Sequence, residues 1–398
     1  MPEHYDVLVI GGGPAGSTCA RALVAGGARV AVIDRAPEFP RTKLCGGWVS
    51  AAIWDVLELT PAEYPRGLWE WHTCHVHFRG KDHAIPCHGW FIRRYELDDF
   101  LLRRSGAELH LGTQVKQIER DADGLWSIGG LRARYLVGAG GTHCPVARML
   151  APTRPRRAAG VQELEFQVGA EPIARTRLGK DGEPELLLFD DIGGYGWNVP
   201  KSDWLNIGCG TLDATETRGA WRTTHDHLRA AGHVPPEAES QLEHLKGHSY
   251  FLFDPAHLDA AYRDHAFLVG DALGLAHPLT AEGILPSTIS ARRAAEAILA
   301  GDPESYPMRL RRDPVLADYR RVHGALNAAR KLRDRIQALT GRSPDQVQTH
   351  EPSHEQPRGP ASDRSFGRAA IARTFAWMFS GAKLPAPRLF DLLLGGGE

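Results

Sequence analysis

The first residues that could do chemistry form a glycine-rich run near the N-terminus, followed by an acid. Residues 11–16 read GGGPAG, fit the pattern GxGxxG and stand between an apolar run and a run of small residues. In that setting Gly11 allows a tight turn, Gly13 lets a pyrophosphate reach backbone N–H groups, and Gly16 allows close packing of a helix on a strand. Asp34 ends the next apolar run, where a carboxylate can accept hydrogen bonds from a ribose. The pattern predicts dinucleotide contacts at Gly11, Gly13, Pro14, Ala15, Gly16, Asp34 and Arg35, the alternative being a turn that binds nothing.

A second acid, Asp271, follows Gly270 at the end of another apolar run, residues 266–269. A carboxylate at a buried strand end can bond hydroxyl groups of the same cofactor, and a plain helix cap is the alternative. Residues 278–284 then offer backbone N–H groups at the start of a helix to an electron-rich ring edge. The contacts predicted here are Gly270, Asp271, Pro278, Gly283 and Ile284.

Two aromatic residues, Tyr195 and Trp197, stand at alternate positions of residues 194–200. Alternate side chains of a strand face the same way, so this pair can wall a pocket over a bound cofactor. Packing in an apolar core is the alternative for both.

Histidines and cysteines are concentrated in residues 72–88. Strand alternation puts His75 and His77 on one face with Cys74 on the other, and no ligand spacing of a known zinc class is present. His225 and His227 diverge by about 200° on a helix and cannot easily chelate together. We therefore expect a solvated, histidine-rich hairpin and no metal site.

The elements that must position these residues belong to a chain of 398 residues, long enough for two or more cores. Its 47 basic and 48 acidic side chains leave a formal net charge of −1, which excludes nucleic-acid binding by bulk charge. The six cysteines include no CxxC pair, so reduced thiols are expected. No apolar run approaches the roughly 18 residues of a membrane span, and no signal peptide is recognisable. We expect a soluble, cytoplasmic protein.

Apolar periodicity predicts a strand–helix–strand unit at the N-terminus and a second group of short strands in the middle of the chain. The predicted strands are 5–10, 28–33, a hairpin within 69–92, 109–118, 125–128, 133–137, much of 158–253, and 266–269. The predicted helices are 17–24, 95–104, 215–231, 286–299 and parts of 304–339.

The glycine run together with residues 269–271 (VGD) resembles the p-hydroxybenzoate hydroxylase class of FAD enzymes, over residues 1–300. Residues 94–101 match the pattern R-x-x-[FL]-D-x-x-L of that class, which implies that Arg94 contacts FAD, a surface position being the alternative. Val115 is a further FAD contact that the resemblance implies. The Asp-Gly that the class usually carries after its third core strand is replaced here by Gly140 and Gly141.

Two further segments resemble the geranylgeranyl reductase family within that class. Residues 43–50 (KLCGGWVS) are similar to its Cys-x-Gly-Gly-type loop beside the flavin, which implies contacts from Cys45 and Gly46. Residues 194–200 (GYGWNVP) resemble its YxWxFP motif, which flavin-dependent halogenases share as WxWxIP. The resemblance implies that Tyr195 and Trp197 position a substrate. It also implies a catalytic Cys45 near the reacting carbon, as a proton donor or a polarizable contact, unless it is an inert thiol.

Trp48 follows the bare backbone of this loop and is the first side chain that can project across the flavin. We expect it to bind substrate and set the depth of the pocket, because an indole fills on the order of 100 Å³. Packing under the adjoining helix, residues 51–57, is the alternative.

The resemblance implies an α/β fold in which a Rossmann-like, p-hydroxybenzoate hydroxylase-type FAD-binding domain carries an inserted β-rich substrate domain. The discontinuous FAD-binding domain is expected at 1–68, 93–157 and 262–300, and the substrate domain at 69–92 and 158–261. A helical region at 301–340, a mobile linker at 341–365 and an apolar segment at 366–398 follow. That last segment is expected to cover the substrate entrance, touch a membrane surface or pack on the core.

The activity that the resemblance implies is hydride transfer from reduced, non-covalent FAD to a carbon–carbon double bond of an apolar, isoprenoid-like small molecule. NAD(P)H or another external reductant would donate the electrons. One alternative is a monooxygenase or halogenase-like enzyme acting on an aromatic or polyketide-type compound. Another is a flavin-bound interaction protein without turnover. The oligomeric state stays open.

Overall fold

The computed structural model describes residues 3–152, 157–176, 178, 181–189 and 193–340, apart from the side chains of residues 329, 332–334 and 336–340. The predicted linker and the apolar C-terminal segment, 341–365 and 366–398, lie outside the described residues. None of the helices described in this part of the chain is long and apolar enough to cross a membrane.

The described strands fall into two sheets, with helices on the outer faces. The strands are β1 (Glu3–Ile10), β2 (Val30–Ile33), β3 (Trp48–Val49), β4 (Leu68–Phe78), β5 (Lys81–Ile92), β6 (Glu108–His110), β7 (Glu119–Arg120), β8 (Trp126–Ile128), β9 (Leu131–Gly138), β10 (Ala158–Gln167), β11 (Glu185–Leu188), β12 (Gly194–Lys201), β13 (Trp204–Thr211), β14 (Lys246–Phe251), β15 (Tyr262–Arg263) and β16 (Ala266–Leu268). The α-helices are α1 (Pro14–Ala25), α2 (Ala52–Leu57), α3 (Arg94–Arg104), α4 (Pro145–Leu150), α5 (Ala170–Ala174), α6 (Thr217–Ala230), α7 (Ile284–Leu299), α8 (Tyr306–Arg312) and α9 (Pro314–Thr340). Short 3₁₀ helices cover Pro61–Glu63, Gly141–His143, Pro236–His244, Pro255–Ala260, Gly270–Ala272 and Pro303–Ser305.

The first sheet has the strand order β15-β16-β9-β1-β2-β6, and β8 and β7 extend it from β9. Its central strands are parallel and form near-continuous apolar runs, as expected for strands covered on both faces. Helices α1 and α7 pack against one another beside it. Because parallel strands end at one edge, the residues that follow β1, β2, β9 and β16 meet there.

The second sheet has the order β14-β10-β13-β12-β11-β4-β5-β3 and is antiparallel except between β11 and β4. One face carries an aromatic cluster that includes Trp71, Phe78 and Phe91. The other face packs against α6 through residues such as Ile207 and Leu228. The two sheets face each other across the space that holds the candidate site.

The α/β fold class predicted from the sequence is confirmed, with some differences in the elements. Strand β3 lies within residues 1–68, which the sequence assigns to the first domain, yet it pairs with β5 of the second sheet. The predicted strand 109–118 is wrong beyond His110, because the N–H groups of Gly112 and Thr113 bond to the carbonyls of Ala36 and Asp34 instead of a partner strand. This loop therefore crosses the end of β2.

Candidate active site

A cavity of about 750 Å³ lies between the carboxyl edge of the first sheet and the second sheet. This volume lies within the usual range of ligand-binding sites. The predicted site residues that line it are Gly11, Gly13, Pro14, Ala15, Asp34, Arg35, Cys45, Gly46, Trp48, Arg94, Val115, Tyr195, Trp197, Asp271, Gly283 and Ile284. The three predicted residues that do not line it are Gly16, Gly270 and Pro278. Residues from both sheets thus meet at one space.

The glycine-rich turn has a distinct steric reason for each of its three motif glycines. Gly11 has φ +112°, and a Cβ there would lie 2.5 Å from the carbonyl oxygen of Ala139. A Cβ on Gly16 would lie 1.8 Å from the carbonyl oxygen of Gly11, so helix α1 can pack this closely against the turn only with glycine at position 16. At Gly13 the nearest atom is Arg41 Nη2 at 3.6 Å, so the backbone there opens into the cavity.

This opening fits the pyrophosphate of a dinucleotide. It stands at the N-terminus of α1, where backbone N–H groups and the helix dipole favour an anion. Arg41 lines the cavity beside it, and its Nε is buried without a hydrogen-bond partner among the described residues. The cradle at Gly13 and the unsatisfied donor of Arg41 are the features that an FAD pyrophosphate would complete. The sequence analysis missed Arg41, which belongs to no motif.

Asp34 and Arg94 are both held by neighbours at the cavity wall. The Asp34 carboxylate accepts hydrogen bonds from the N–H groups of Gly12, at 2.7 Å, and Ala36, at 2.8 Å, and so fixes the glycine turn to the end of β2. Arg94 Nε lies 3.0 Å from Oδ1 of the fully buried Asp98, and its own side chain is only 11% exposed. Burial lowers the pKa of the Arg94 guanidinium, but the opposing contributions, of which the attraction of the Asp98 carboxylate is the largest, together exceed it, so the pKa is raised overall. The alternative of a surface position does not hold for Arg94.

Asp271 faces the cavity from the 3₁₀ helix after β16, and burial raises the pKa of its carboxyl. Gly270 has φ +57°, and a Cβ there would lie 2.7 Å from Ser287 Oγ, so it gives the turn that aims Asp271 inward. The loop 277–283 is held by His277, whose Nδ1 accepts N–H bonds from Leu279 at 3.2 Å and Thr280 at 3.0 Å. Burial lowers the pKa of His277 to about 3, which keeps its ring neutral and able to accept them.

Three aromatic residues form a wall of the cavity, as the motifs predict. The ring centroids of Tyr195 and Trp197 are 5.8 Å apart, and both rings border the cavity. Trp48 packs edge-on against Trp71 at 5.3 Å and Phe91 at 4.8 Å. It therefore belongs to the aromatic cluster of the second sheet, whereas α2 packs in a separate cluster. The ring is 7% exposed, so Trp48 is largely buried in this cluster while it also borders the cavity.

The Cys45 loop is fixed from both sides. Gly47 has φ +74°, and a Cβ there would lie 2.0 Å from the carbonyl oxygen of Ile92. Asn206 Nδ2 donates to the carbonyl oxygen of Cys45 at 3.1 Å, and its Oδ1 accepts from Trp197 Nε1 at 2.7 Å. Burial raises the pKa of the Cys45 thiol, against a smaller opposing effect of Arg94. The thiol is therefore protonated at neutral pH.

Glu163 on β10 lines the same cavity and is 1% exposed, and the sequence analysis missed it. Its Oε2 lies 3.4 Å from Asn206 Nδ2, and its Oε1 lies 3.7 Å from His248 Nε2. Burial raises the pKa of the Glu163 carboxyl to about 7, although the Asn206 hydrogen bond opposes this. Burial and the nearby Lys43 and Arg94 cations lower the pKa of His248 to about 4. A partly protonated carboxyl therefore stands beside a neutral imidazole.

The sequence analysis expects a solvated, histidine-rich hairpin, and this expectation is wrong for two of its histidines. His75 and His77 on β4 are each only 9% exposed. His75 Nε2 lies 2.6 Å from Glu183 Oε2, and His77 Nε2 lies 2.6 Å from Glu185 Oε1. Their carboxylate partners come from residues about a hundred positions away, which the local pattern could not reveal.

Comparisons with known proteins bear on the class of cofactor and reaction. The family described as FAD dependent oxidoreductase matches residues 6–88. A digeranylgeranylglycerophospholipid reductase of Methanothermobacter thermautotrophicus is 28% identical over 337 residues, which cover 76% of this chain and 80% of that protein. A menaquinone reductase of Mycolicibacterium smegmatis is 27% identical over 325 residues, which cover 77% of this chain and 79% of that protein.

Solved structures with the same fold include two flavoprotein types. A geranylgeranyl bacteriochlorophyll reductase-like protein from Thermoplasma acidophilum has a TM-score of 0.62 at 19% identity, over 81% of this chain and 87% of that one. The flavin-dependent halogenase CmlS has a TM-score of 0.60 at 18% identity, over 81% of this chain and 64% of that one. The comparisons confirm the predicted resemblance to geranylgeranyl reductases and the prediction of an FAD-dependent oxidoreductase.

Proposed function

We propose that this FAD-dependent oxidoreductase saturates a carbon–carbon double bond of an apolar, isoprenoid-like substrate, with NAD(P)H or another external reductant as electron donor. The relative named for a digeranylgeranylglycerophospholipid supports the substrate class. The aromatic wall supports it independently, because it offers apolar surface at the same cavity as the dinucleotide cradle.

The residues around the glycine turn would hold the cofactor. Gly13, the N-terminus of α1 and Arg41 would receive the pyrophosphate, while Asp34 and Asp271 line the cavity where they would accept hydrogen bonds from the ribose and ribityl hydroxyls. Reduced FAD supplies the hydride in this reaction. The loop 277–283 keeps its shape through His277, and its residues 280–283 line the cavity, where their backbone would contact the flavin.

The observation that carries the proposal is the presence of proton-holding groups at the aromatic wall. Saturation of a double bond needs a proton on the second carbon after hydride has reached the first, so an acid must stand at the cavity. The Glu163 carboxyl, with a pKa of about 7, and the protonated Cys45 thiol both line it. Asn206 contacts Glu163 and the carbonyl of Cys45, and it thereby holds both acids in one arrangement.

The wall itself orients the substrate. Tyr195 and Trp197 are fixed by hydrogen bonds to Thr280 and Asn206, so their rings cannot rotate freely. Trp48 is wedged between Trp71 and Phe91 and limits the depth of the apolar part of the cavity. A rigid apolar surface excludes water and holds an alkene in place without polar contacts.

The competing activity is oxygen transfer, as a monooxygenase or halogenase. The observation that favours it is the motif around Tyr195 and Trp197, which halogenases carry in a related form, together with the fold shared with CmlS. We place oxygen transfer second because double-bond saturation requires a proton at the substrate, and the buried Glu163 carboxyl lines the cavity where it can supply one.

Anaerobic reoxidation separates the two activities. The FAD-loaded protein is reduced with dithionite, freed of oxygen and mixed with digeranylgeranylglycerophospholipid in detergent micelles, and the flavin absorbance is followed. The same lipid in fully saturated form is the control. We expect the flavin to reoxidise with the unsaturated lipid and stay reduced with the saturated one. Reoxidation that occurs only after oxygen is admitted would overturn the proposal.

A further inference from the structure

Four side chains from three separate segments converge on the face of the second sheet that packs against α6. They are His77 on β4, Glu185 on β11, His227 in the last turn of α6, and His233 just after it. Glu185 Oε1 lies 2.6 Å from His77 Nε2, 2.7 Å from His233 Nδ1 and 3.5 Å from His227 Nε2. Three ring nitrogens therefore surround one carboxylate oxygen.

The cluster is buried, and hydrogen bonding accounts for only one of its contacts, between His233 Nδ1 and Glu185 Oε1 at 2.7 Å. Glu185 is fully buried and His233 is 2% exposed. His77 Nε2, His227 Nε2 and Glu185 Oε2 are buried atoms without a hydrogen-bond partner among the described residues, despite the short N···O distances. In a hydrogen-bonded cluster each N–H points at its acceptor, whereas metal ligands point their lone pairs at a common centre. The contacts that His77 Nε2 and His227 Nε2 make with Glu185 Oε1 lack hydrogen-bond geometry and match the second arrangement.

We propose that His77, Glu185, His227 and His233 bind one Zn²⁺. Imidazole nitrogens and a carboxylate oxygen are the ligands that zinc accepts, and four protein ligands close a tetrahedral site. The ligand atoms of His77, Glu185 and His227 already lie within 4.8 Å of one another. Neighbouring ligands of a tetrahedral zinc ion stand about 3.3 Å apart, so the cluster needs to open by less than about 1 Å to admit the ion.

Outer contacts orient two of the ligands. His77 Nδ1 lies 3.6 Å from Asp82 Oδ1. A carboxylate beside the second ring nitrogen often fixes the orientation of a metal-bound histidine. Asn198 Nδ2 donates to the backbone carbonyl of His233 at 3.3 Å, and the N–H of His233 donates to the carbonyl of Leu228 at 2.9 Å. These bonds place His233 next to Glu185 whether or not the ion is bound.

The proposed site is distinct from the cofactor cavity and lies on the opposite face of the second sheet. Leu186 and Leu188, which alternate with Glu185 along β11, belong to the aromatic cluster on the cavity side. A zinc ion would fasten α6 and the chain after it to β4 and β11. With four protein ligands and no open position the role is structural.

This inference reverses the expectation of no metal site drawn from the sequence. That expectation is right about one pair, because His225 contacts Glu239 while His227 contacts Glu185, so the two diverge. It fails because the remaining ligands come from β4 and β11, far from α6 in sequence. Spacing rules for zinc motifs detect ligands only when they are close along the chain.

Metal titration of the full-length, FAD-loaded protein tests the site. After dialysis against a chelator, Zn²⁺ is titrated by calorimetry, and Co²⁺ is added separately as a spectroscopic probe of coordination. We expect one Zn²⁺ per chain and the intense visible bands of tetrahedral Co²⁺. His77→Ala and Glu185→Gln should weaken Zn²⁺ binding about 100-fold or more, because each removes one ligand.

The matched control is His225→Ala, which removes a histidine from the same helix without touching the cluster. It should bind Zn²⁺ like the wild type. Wild-type protein that takes up no stoichiometric Zn²⁺, or binds Co²⁺ only in octahedral form, would show that the four side chains hold one another without an ion. If His77→Ala and Glu185→Gln bound Zn²⁺ as tightly as the wild type does, the proposal would also be overturned. Flavin content and melting curves check that each variant is folded, and the wild-type titration stands even if a variant is not.

Discussion

Tyr195 donates a 2.5 Å hydrogen bond to the carbonyl oxygen of Thr280 and so joins the aromatic wall of the second sheet to the loop that precedes α7. Tyr195 is part of β12, and Thr280 belongs to the loop that His277 holds in shape. The substrate side and the cofactor side of the cavity are therefore mechanically linked. Displacement of one moves the other.

Tyr195→Phe removes this link while keeping the ring. We expect FAD to stay bound and KM for the alkene to rise several-fold, with a stability loss of about 0.5–1.5 kcal/mol for one hydrogen bond. Tyr95→Phe, on α3, is the control and should change neither value. Steady-state kinetics and melting curves measure both effects. Loss of flavin from Tyr195→Phe would show that the bond holds the cofactor instead.

Gly13→Trp is expected to abolish FAD binding, because the indole would occupy the opening beside Arg41 where the pyrophosphate enters. Asp271→Ala should weaken binding by about 1–3 kcal/mol, since cofactor hydroxyls lose a buried acceptor. Flavin released on denaturation is measured per mole of protein. Gly219→Trp, at an exposed position of α6 with no atom near its Cβ position, should retain full flavin. Normal flavin content in Gly13→Trp would contradict the placement of the pyrophosphate.

The pH dependence of the oxidative half-reaction, in which the alkene reoxidises the reduced flavin, distinguishes the two acids. If Glu163 donates the proton, the rate is high while its carboxyl is protonated and falls as pH rises through about 7. If Cys45 donates it, the rate falls only above the ordinary thiol pKa of 9.0, because burial raises the pKa of Cys45.

We expect the fall near pH 7. Glu163→Gln should lower the rate about 100-fold or more and remove that pH dependence, since the amide cannot supply a proton. Cys45→Ala should keep the fall near pH 7. A wild-type profile that stays flat to pH 9, together with a Glu163→Gln variant of normal rate, would assign proton donation to Cys45.

Trp48→Ala should affect both stability and substrate range. Trp48 packs between Trp71 and Phe91 and also borders the cavity, so truncation costs about 3–5 kcal/mol and adds on the order of 100 Å³ to the apolar space. Longer or bulkier alkenes should be accepted. Trp71→Phe is the control, because it perturbs the same cluster without lining the cavity. A melting curve and a chain-length series of isoprenoids measure the two effects, and an unchanged substrate range would restrict Trp48 to packing.

The parts of the site that follow from the sequence are those whose residues are close along the chain. Gly11, Gly13 and Asp34 are set by one strand–helix–strand unit, and local patterns are enough to place them together. Glu163 is different, because its meeting with His248 depends on the pairing of β10 with β14, about eighty residues apart. One signal was present, since Glu163 and Glu165 alternate with Leu164 and Phe166 and put two acids on one strand face.

The helix boundaries show the same division. Helix α1 begins at Pro14, inside the glycine-rich motif, and proline is favoured in the first turn of a helix. Apolar periodicity alone predicts that the helix begins later, at Ser17. Residues 111–118 read as a strand by pattern, yet their backbone serves the end of β2. The carbonyls that Gly112 and Thr113 bond to belong to Ala36 and Asp34, respectively, and no local pattern specifies such a crossing.

The most direct test of the central claim is the mass of the product from a single anaerobic turnover. FAD-loaded protein reduced with dithionite is mixed with a digeranylgeranylglycerophospholipid without oxygen, and the lipid is extracted for mass spectrometry. The account predicts a product heavier by two hydrogens for each double bond reduced, with no added oxygen, and no such product from the Gly13→Trp variant. An unchanged lipid under these conditions, with an oxygenated or halogenated product only in air, would contradict it.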